Sequence, residues 1–315
     1  MSSLNQHWTI LGAGAVGHLL AYGFAQSNIP ATLVFRNQIP QPESLLEYHS
    51  NNSEKPYSVS YATLDYLPKV THLLLTVKSW QVEEAIRSVK HLLTVESHIF
   101  LLQNGMGILE KVTDLLSNIL PPEQIFPGVN THGCHLHKDN SDKNKLTLVH
   151  AGFGNVTFGN NYNYSSSTMP PEGFLELQQL PLNIKWSSEI ELKLWMKLAI
   201  NAAINPVTAI NNCNNGALSQ STELTNQVKL LCLETAKLFE KLDLNIDQET
   251  ITTAVFDVIQ LTAENKSSML QDITSGKNSE IKAITGYLLK KSKMLDIELE
   301  LHQYYYNQIR SLQEI

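Results

Sequence analysis

The chain has 315 residues, about twice a common domain length, so two domains are expected. Its residues are 43% hydrophobic and 17% charged, which supplies real cores and excludes a disordered chain. The net charge of -7 argues against a nucleic-acid partner, because such binders are usually basic.

Three cysteines, Cys134, Cys213 and Cys232, stand far apart without a CxxC pair. That spacing suggests neither a disulfide framework nor a zinc site, so no metal is expected. Met1 to His7 is polar, without a basic segment followed by an apolar run, and no stretch has the length of a membrane span. A cytoplasmic protein is the expectation. The sequons at Asn51 and Asn163 then read as chance matches.

In chain order, Trp8 to Leu11 is a short apolar run that stops at glycine. His18 to Ser27 reads as a helix and Ala31 to Phe35 as a second strand, the opening of a βαβ unit. His72 to Val77 and Ile99 to Gln103 are further continuous apolar runs, with helical spacing over Gln81 to Leu93 between them. Continuous apolar strands suit a parallel sheet covered on both faces. The first part is therefore a Rossmann-type, doubly wound α/β domain. Segments Leu146 to His150 and Gly154 to Phe158 alternate and suggest an antiparallel hairpin. Residues 160–173 read as a loop.

From Glu189 the strand signals stop. Helical patterns cover Glu189 to Asn205, Ser219 to Leu242, Asp247 to Ile273 and Ser279 to Met294. We place the boundary near residue 188, with an α/β domain over 1–188 and an all-α domain over 189–315.

Gly12-Ala13-Gly14-Ala15-Val16-Gly17 is a GxGxxG between a strand and a helix, the context that gives this string meaning. The first glycine permits the turn, the second lets a pyrophosphate approach the backbone, and the third allows close packing of helix on strand. An NAD site usually carries a carboxylate at the end of the second strand. Here Leu33-Val34-Phe35-Arg36 ends in a guanidinium instead, suited to the 2′-phosphate of NADP. Lys78 and Asn104 follow the strands ending at Val77 and Gln103, and carboxyl ends of strands are where ligands sit in such sheets. Taken singly, each reads better as a surface lysine or a turn asparagine; together on one edge, with the glycine loop, they favour a site.

The helix from Glu189 to Asn205 is apolar almost all round, which marks it as buried. Yet Lys193, Lys197, Asn201 and Asn205 recur every fourth residue, on one face. Buried amines and amides are expensive without partners, so this stripe predicts a wet cleft, with a solvated surface face as the alternative. Ser267, Ser268 and Asp272 interrupt a second apolar pattern. Glu280 follows a glycine turn, where a helix N-terminus alone would also explain a carboxylate.

The chain resembles the ketopantoate reductases in GAGAVG (12–17), VKSWQV (77–82), QNGMG (103–107), KLAINAAINPVTAI (197–210), NCNNG (212–216) and AENKSSMLQDI (263–273) followed by Glu280. The last three motifs are specific to that family. The likeness is weakest over 37–70, over 160–173 and beyond 300, and the charged loop at 137–145 is particular to this chain. The resemblance implies a reductase of 2-dehydropantoate (ketopantoate) using NADPH. It implies Lys197 as general acid and Glu280 as the residue binding the substrate hydroxyl and orienting the site. Asn201, Asn205 and Asn215 would hold the substrate, with Ser268 on its carboxylate. Arg36, Lys78 and Asn104 would join the glycine loop in binding NADPH. Partial burial and a neighbouring cation such as Lys193 are both expected to lower the pKa of Lys197, with Glu280 opposing. The expected partner is a small molecule, with no nucleic acid or membrane, in a monomer or homodimer. Two other readings remain: another dehydrogenase of hydroxyacids or sugar phosphates with the same two-domain plan, and a non-catalytic NADPH-binding regulator.

Overall fold

The computed structural model describes residues 7–36, 45–50, 53–138, 145–164 and 167–313. The loop at 137–145 lies largely outside these residues, as do parts of both sequons. The chain divides into two compact units, Met1–Gln103 with Ile108–Ile190, and Asn104–Gly107 with Glu191–Ile315. The boundary thus falls two residues beyond 188. The short segment Asn104–Gly107 joins the second unit, which no composition change in the sequence signals.

The first unit is built on an eight-stranded sheet. Strands β1 (Trp8–Leu11), β2 (Ala31–Phe35), β6 (His72–Leu75), β7 (His98–Leu101) and β8 (Ile125–Asn130) are its apolar runs, and β5 (Ser60–Thr63) closes one edge. All six pair in parallel, with β1 between β2 and β6. The order is β12-β11-β8-β7-β6-β1-β2-β5, counting β11 (Val156–Phe158) and β12 (Ile184–Trp186). β11 runs antiparallel to β8 and carries β12 alongside it in parallel.

Side chains alternate across each strand, so each face gathers its own core. Trp8, Ile10, Leu33, Leu74, Phe100 and Phe126 meet helix α1 (Ala15–Gln26) on one side. Leu11, Val34, Leu73, Leu75, Ile99 and Leu101 meet α2 (Val82–Val89) and α3 (Ile108–Leu116) on the other. This is the doubly wound arrangement, and the strand order reverses between β1 and β6. That reversal is where a nucleotide sits in such sheets.

A separate four-stranded sheet has the order β4-β3-β10-β9, from β3 (Leu45–Ser50), β4 (Ser53–Pro56), β9 (Gly133–Lys138) and β10 (Lys145–Gly152). Its inner side chains Leu46, Tyr48 and Leu148 pack with Leu19 and Tyr22 of α1, and Tyr48 stacks on Tyr22 at 3.8 Å. The hairpin expected between Leu146–His150 and Gly154–Phe158 does not form. β10 pairs with β9 and β3 instead, while β11 adds to the main sheet. The two alternating segments join different sheets, although their apolar side chains reach one common core. Within the loop read at 160–173, the described residues stay irregular before α4 (Phe174–Gln178).

The second unit is helical: α5 (Ile190–Ile210), α6 (Ala217–Gln220), α7 (Thr222–Lys241), α8 (Gln248–Leu261), α9 (Ser268–Thr274), α10 (Thr285–Met294) and α11 (Glu300–Gln313). α5 continues past Asn205 through Pro206 to Ile210. Burial of Val207, Thr208 and Ala209 outweighs the lost hydrogen bond, and Thr208 Oγ1 donates to the Ile204 carbonyl at 3.0 Å. The single helix expected over Asp247 to Ile273 is two helices. The buried Ser267 hydroxyl caps α9 by accepting from Leu270 N at 3.1 Å, and it is hydrogen-bonded with the Thr208 hydroxyl at 2.8 Å.

Candidate functional site

Each unit brings together part of the predicted set. In the first unit, Gly12 ends β1 with φ +128, where a Cβ would lie 2.6 Å from Val77 N. A Cβ on Gly17 would lie 1.9 Å from the Gly12 carbonyl. The turn is therefore closed at two points, against Thr76 and Val77, which follow β6, and against its own carbonyl, and only glycine fits either. Thr76 locks it further: its hydroxyl donates to the Gly12 carbonyl at 2.8 Å. Sequence reading passed over Thr76, although it is the one hydroxyl in the run from His72 to Val77.

Gly14 is different. It is exposed, and nothing lies within 4 Å of where its Cβ would be. It is also the N-cap of α1, with no side chain capping the helix, and the half-exposed Ala13, Ala15 and Val16 flank it. Backbone N–H groups of that first turn, at the positive end of the helix dipole, are thus presented to an anion. Beyond β2, Arg36 pairs with Glu84 of α2. Lys78 follows β6, and its Nζ stands 5.7 Å from the centroid of the exposed Trp80 ring. Sequence reasoning found neither: nothing local marks Glu84 as a partner 48 residues from Arg36, and a single aromatic such as Trp80 carries no period.

In the second unit the predicted lysine and glutamate meet through Asn104. Lys197 Nζ donates to Asn104 Oδ1 at 2.8 Å, and Asn104 Nδ2 donates to Glu280 Oε2 at 2.9 Å. The amide is oriented at both ends, its carbonyl toward the cation and its NH₂ toward the carboxylate. Asn104, expected beside the nucleotide, thus has its side chain engaged with the lysine and the glutamate. The loop is seated by backbone: Met106 N donates to the Ala283 carbonyl at 3.0 Å. A Cβ on Gly105 would lie 2.3 Å from that oxygen.

Glu280 is buried just before α10, and its backbone carbonyl accepts from Ala283 N and Ile284 N. Burial draws the Lys197 ammonium down from its usual 10.5 to about 8, against the opposing charge of Glu280. The expected help from Lys193 is absent: it is exposed, and burial is the cause of the lowering. Along α5 the polar stripe runs from exposed Lys193 through half-buried Lys197 and Asn201 to buried Asn205. Asn215 is buried too. Its Nδ2 donates to Thr262 Oγ1 at 2.8 Å, and its Oδ1 has no hydrogen-bond partner among the described residues. Ser268, the first residue of α9, is exposed.

Among the described residues no cluster of His, Cys, Asp and Glu is arranged to hold a metal, and no helix is long and apolar enough to cross a membrane.

A doubly wound sheet with a tight glycine turn at the start of its first helix, followed by a helical unit that holds a desolvated lysine, is the plan of a two-unit oxidoreductase. Two family models match the chain: "Ketopantoate reductase PanE/ApbA" over residues 8–163 and its C-terminal counterpart over 189–313. The chain belongs to the ketopantoate reductase family. It is 33% identical to the 2-dehydropantoate 2-reductase of Salmonella typhimurium, over 91% of this chain and 88% of that one. The Vibrio cholerae 2-dehydropantoate 2-reductase is 32% identical, over 97% of each chain. Among solved structures, a probable 2-dehydropantoate 2-reductase from Bacillus subtilis superposes with a TM-score of 0.76 at 26% identity, covering 97% of this chain and 99% of that one. A D-mandelate dehydrogenase solved with NADH shares the fold, with a TM-score of 0.82 at 19% identity over 98% of each chain.

Proposed function

We propose that the chain reduces 2-dehydropantoate to (R)-pantoate with NADPH, in the pantothenate and coenzyme A route, and acts in the cytoplasm. The observation that carries this reading is the chain Lys197–Asn104–Glu280, a desolvated ammonium held by an amide that is itself held by a buried carboxylate. A binding protein has no need of such an acid. The family and the names of its curated relatives support the substrate.

The glycine turn fits a dinucleotide: Gly12 and Gly17 leave no room for a side chain, and Gly14 opens onto uncapped helix N–H groups. Ala13, Ala15 and Val16 complete that turn, and Arg36 and Lys78 are assigned to the phosphates. When bound, the nicotinamide supplies the hydride. The residues of the second unit do the rest. Negative charge develops on the substrate's C2 oxygen, and the Lys197 ammonium stabilises it and gives up its proton there. At about 8, Lys197 is mostly protonated at neutral pH and yet a far better acid than an exposed lysine. Asn104 keeps the amine aimed, and Glu280 keeps Asn104 in one orientation while assisting with the substrate hydroxyl. Asn201 and Asn205, on the Lys197 face of α5, and Asn215, with its unengaged carbonyl oxygen, are assigned to the substrate. Ser268 is assigned to its carboxylate, and fixing several points orients the carbonyl face.

The direct test is loss of NADPH absorbance on adding 2-dehydropantoate, with NADH and other 2-keto acids as controls. Lys197→Ala is expected to lower kcat by roughly 10²–10⁴-fold, the usual worth of a general acid. A variant that keeps near-full turnover would remove Lys197 from this role.

A further inference from the structure

We infer that Glu84 is a second determinant of which dinucleotide the chain prefers, acting against Arg36. The inference rests on the nucleotide reading given above for the first unit. Arg36 follows β2, the strand whose end discriminates the ribose substituent in doubly wound sheets. Its guanidinium is in contact with the Glu84 carboxylate from the first turn of α2. The adjacent Glu83 is matched differently. Arg87 reaches it at 3.0 Å and Lys111 at 3.2 Å, so two cations from α2 and α3 neutralise it. Glu84 is the carboxylate that stands on Arg36.

Both partners are solvent-exposed, at 61% and 63%, so their pairing is weak and readily exchanged. A 2′-phosphate bears more charge than one carboxylate and presents several oxygens to the planar fork of an arginine. It therefore takes the guanidinium from Glu84. The displaced carboxylate still stands close by and repels the phosphate. NADH brings a ribose 2′-hydroxyl instead. That group cannot displace Glu84, but it can donate to a carboxylate, which is how NAD sites ordinarily recognise it. The strand end thus carries a base suited to one nucleotide and an acid suited to the other, and Glu84 narrows the gap between them.

The test is a binding titration of the full chain with NADP⁺ and with NAD⁺ at low salt, followed by tryptophan fluorescence or calorimetry and so independent of turnover. Glu84→Gln is expected to raise the NADP⁺-over-NAD⁺ affinity ratio roughly two- to fivefold, the worth of one exposed charge. Glu84→Lys should raise it further, and added salt should shrink both effects. Arg36→Ala is the parallel arm and should weaken NADP⁺ more than NAD⁺. If Arg36→Ala lowers the ratio while neither Glu84 variant moves it, the role of Glu84 is overturned and the nucleotide reading stands. If Arg36→Ala leaves the ratio where it was, the nucleotide reading of this strand end fails, and the role of Glu84 falls with it.

Discussion

Replacing Glu280 by glutamine removes the carboxylate that opposes burial at Lys197, and the consequence is a displaced pH profile. In the wild type, desolvation pulls the ammonium down and Glu280 holds it up, leaving it near 8. The two groups communicate through one amide, with hydrogen bonds of 2.8 and 2.9 Å on either side. A unit charge at ~6 Å in a medium of effective dielectric ~20 is worth about 3 kcal/mol, or about two pH units. Without it Lys197 should titrate near pH ~6. The protonated acid is needed for reduction, so the alkaline limb of kcat moves from about 8 to about 6. At pH ~7.5 that alone lowers turnover roughly twenty-fold, and acidification restores it. The assay is steady-state reduction from pH ~5.5 to ~9, with circular dichroism at each pH to confirm folding. Loss of a substrate contact would depress the whole curve without moving it. An alkaline limb that stays near pH 8 would refute the electrostatic account of the Lys197–Asn104–Glu280 chain.

Two further outcomes follow from other parts of the molecule. Gly12→Ala and Gly14→Ala should separate folding from binding: the first meets backbone at 2.6 Å and a forbidden φ, whereas the second meets nothing within 4 Å. Gly12→Ala is expected to cost more than about 1 kcal/mol of stability, and Gly14→Ala to leave Tm almost unchanged while weakening dinucleotide binding; equal Tm losses would contradict the geometry. In the first unit His18, His72 and His150 are each pushed down to about 4, by burial before any other cause. They stay neutral when folded and protonate near 6.5 when unfolded, so their stabilisation is full above pH 6.5 and is lost as pH falls toward 4. The total is several kcal/mol as an order of magnitude, and a Tm that does not fall between pH 7.5 and 5 would exclude it.

Local pattern reached a good part of the fold. Apolar strands covered on both faces have to be continuous, so β1, β2, β6 and β7 stood out in the sequence together with the parallel sheet they imply. The glycine turn could be read because backbone sterics alone require its residues. Lys197 and the asparagines of α5 could be read because polar groups at four-residue steps on an apolar helix are costly enough to need a reason. Asn215, and a role for Glu280 beyond a helix N-terminus, came only with the resemblance, since a single acid or amide in a turn carries no period.

What chain periodicity could not decide is which distant segments share a layer. The run at 146–150 binds β3, about a hundred residues earlier, rather than the neighbouring β11, because burial against α1 rewards that pairing and local alternation does not distinguish the two. Asn104 leaves the strand it follows to join Lys197 and Glu280, and Arg36 finds Glu84, through contacts between residues 93, 176 and 48 positions apart. The sequence by itself determined the periods, the glycine positions and the kinds of side chain available. The tertiary structure alone decided their partners and which amine lost its water, and desolvation rather than residue type is what turns one lysine of α5 into an acid and leaves Lys193 in solvent.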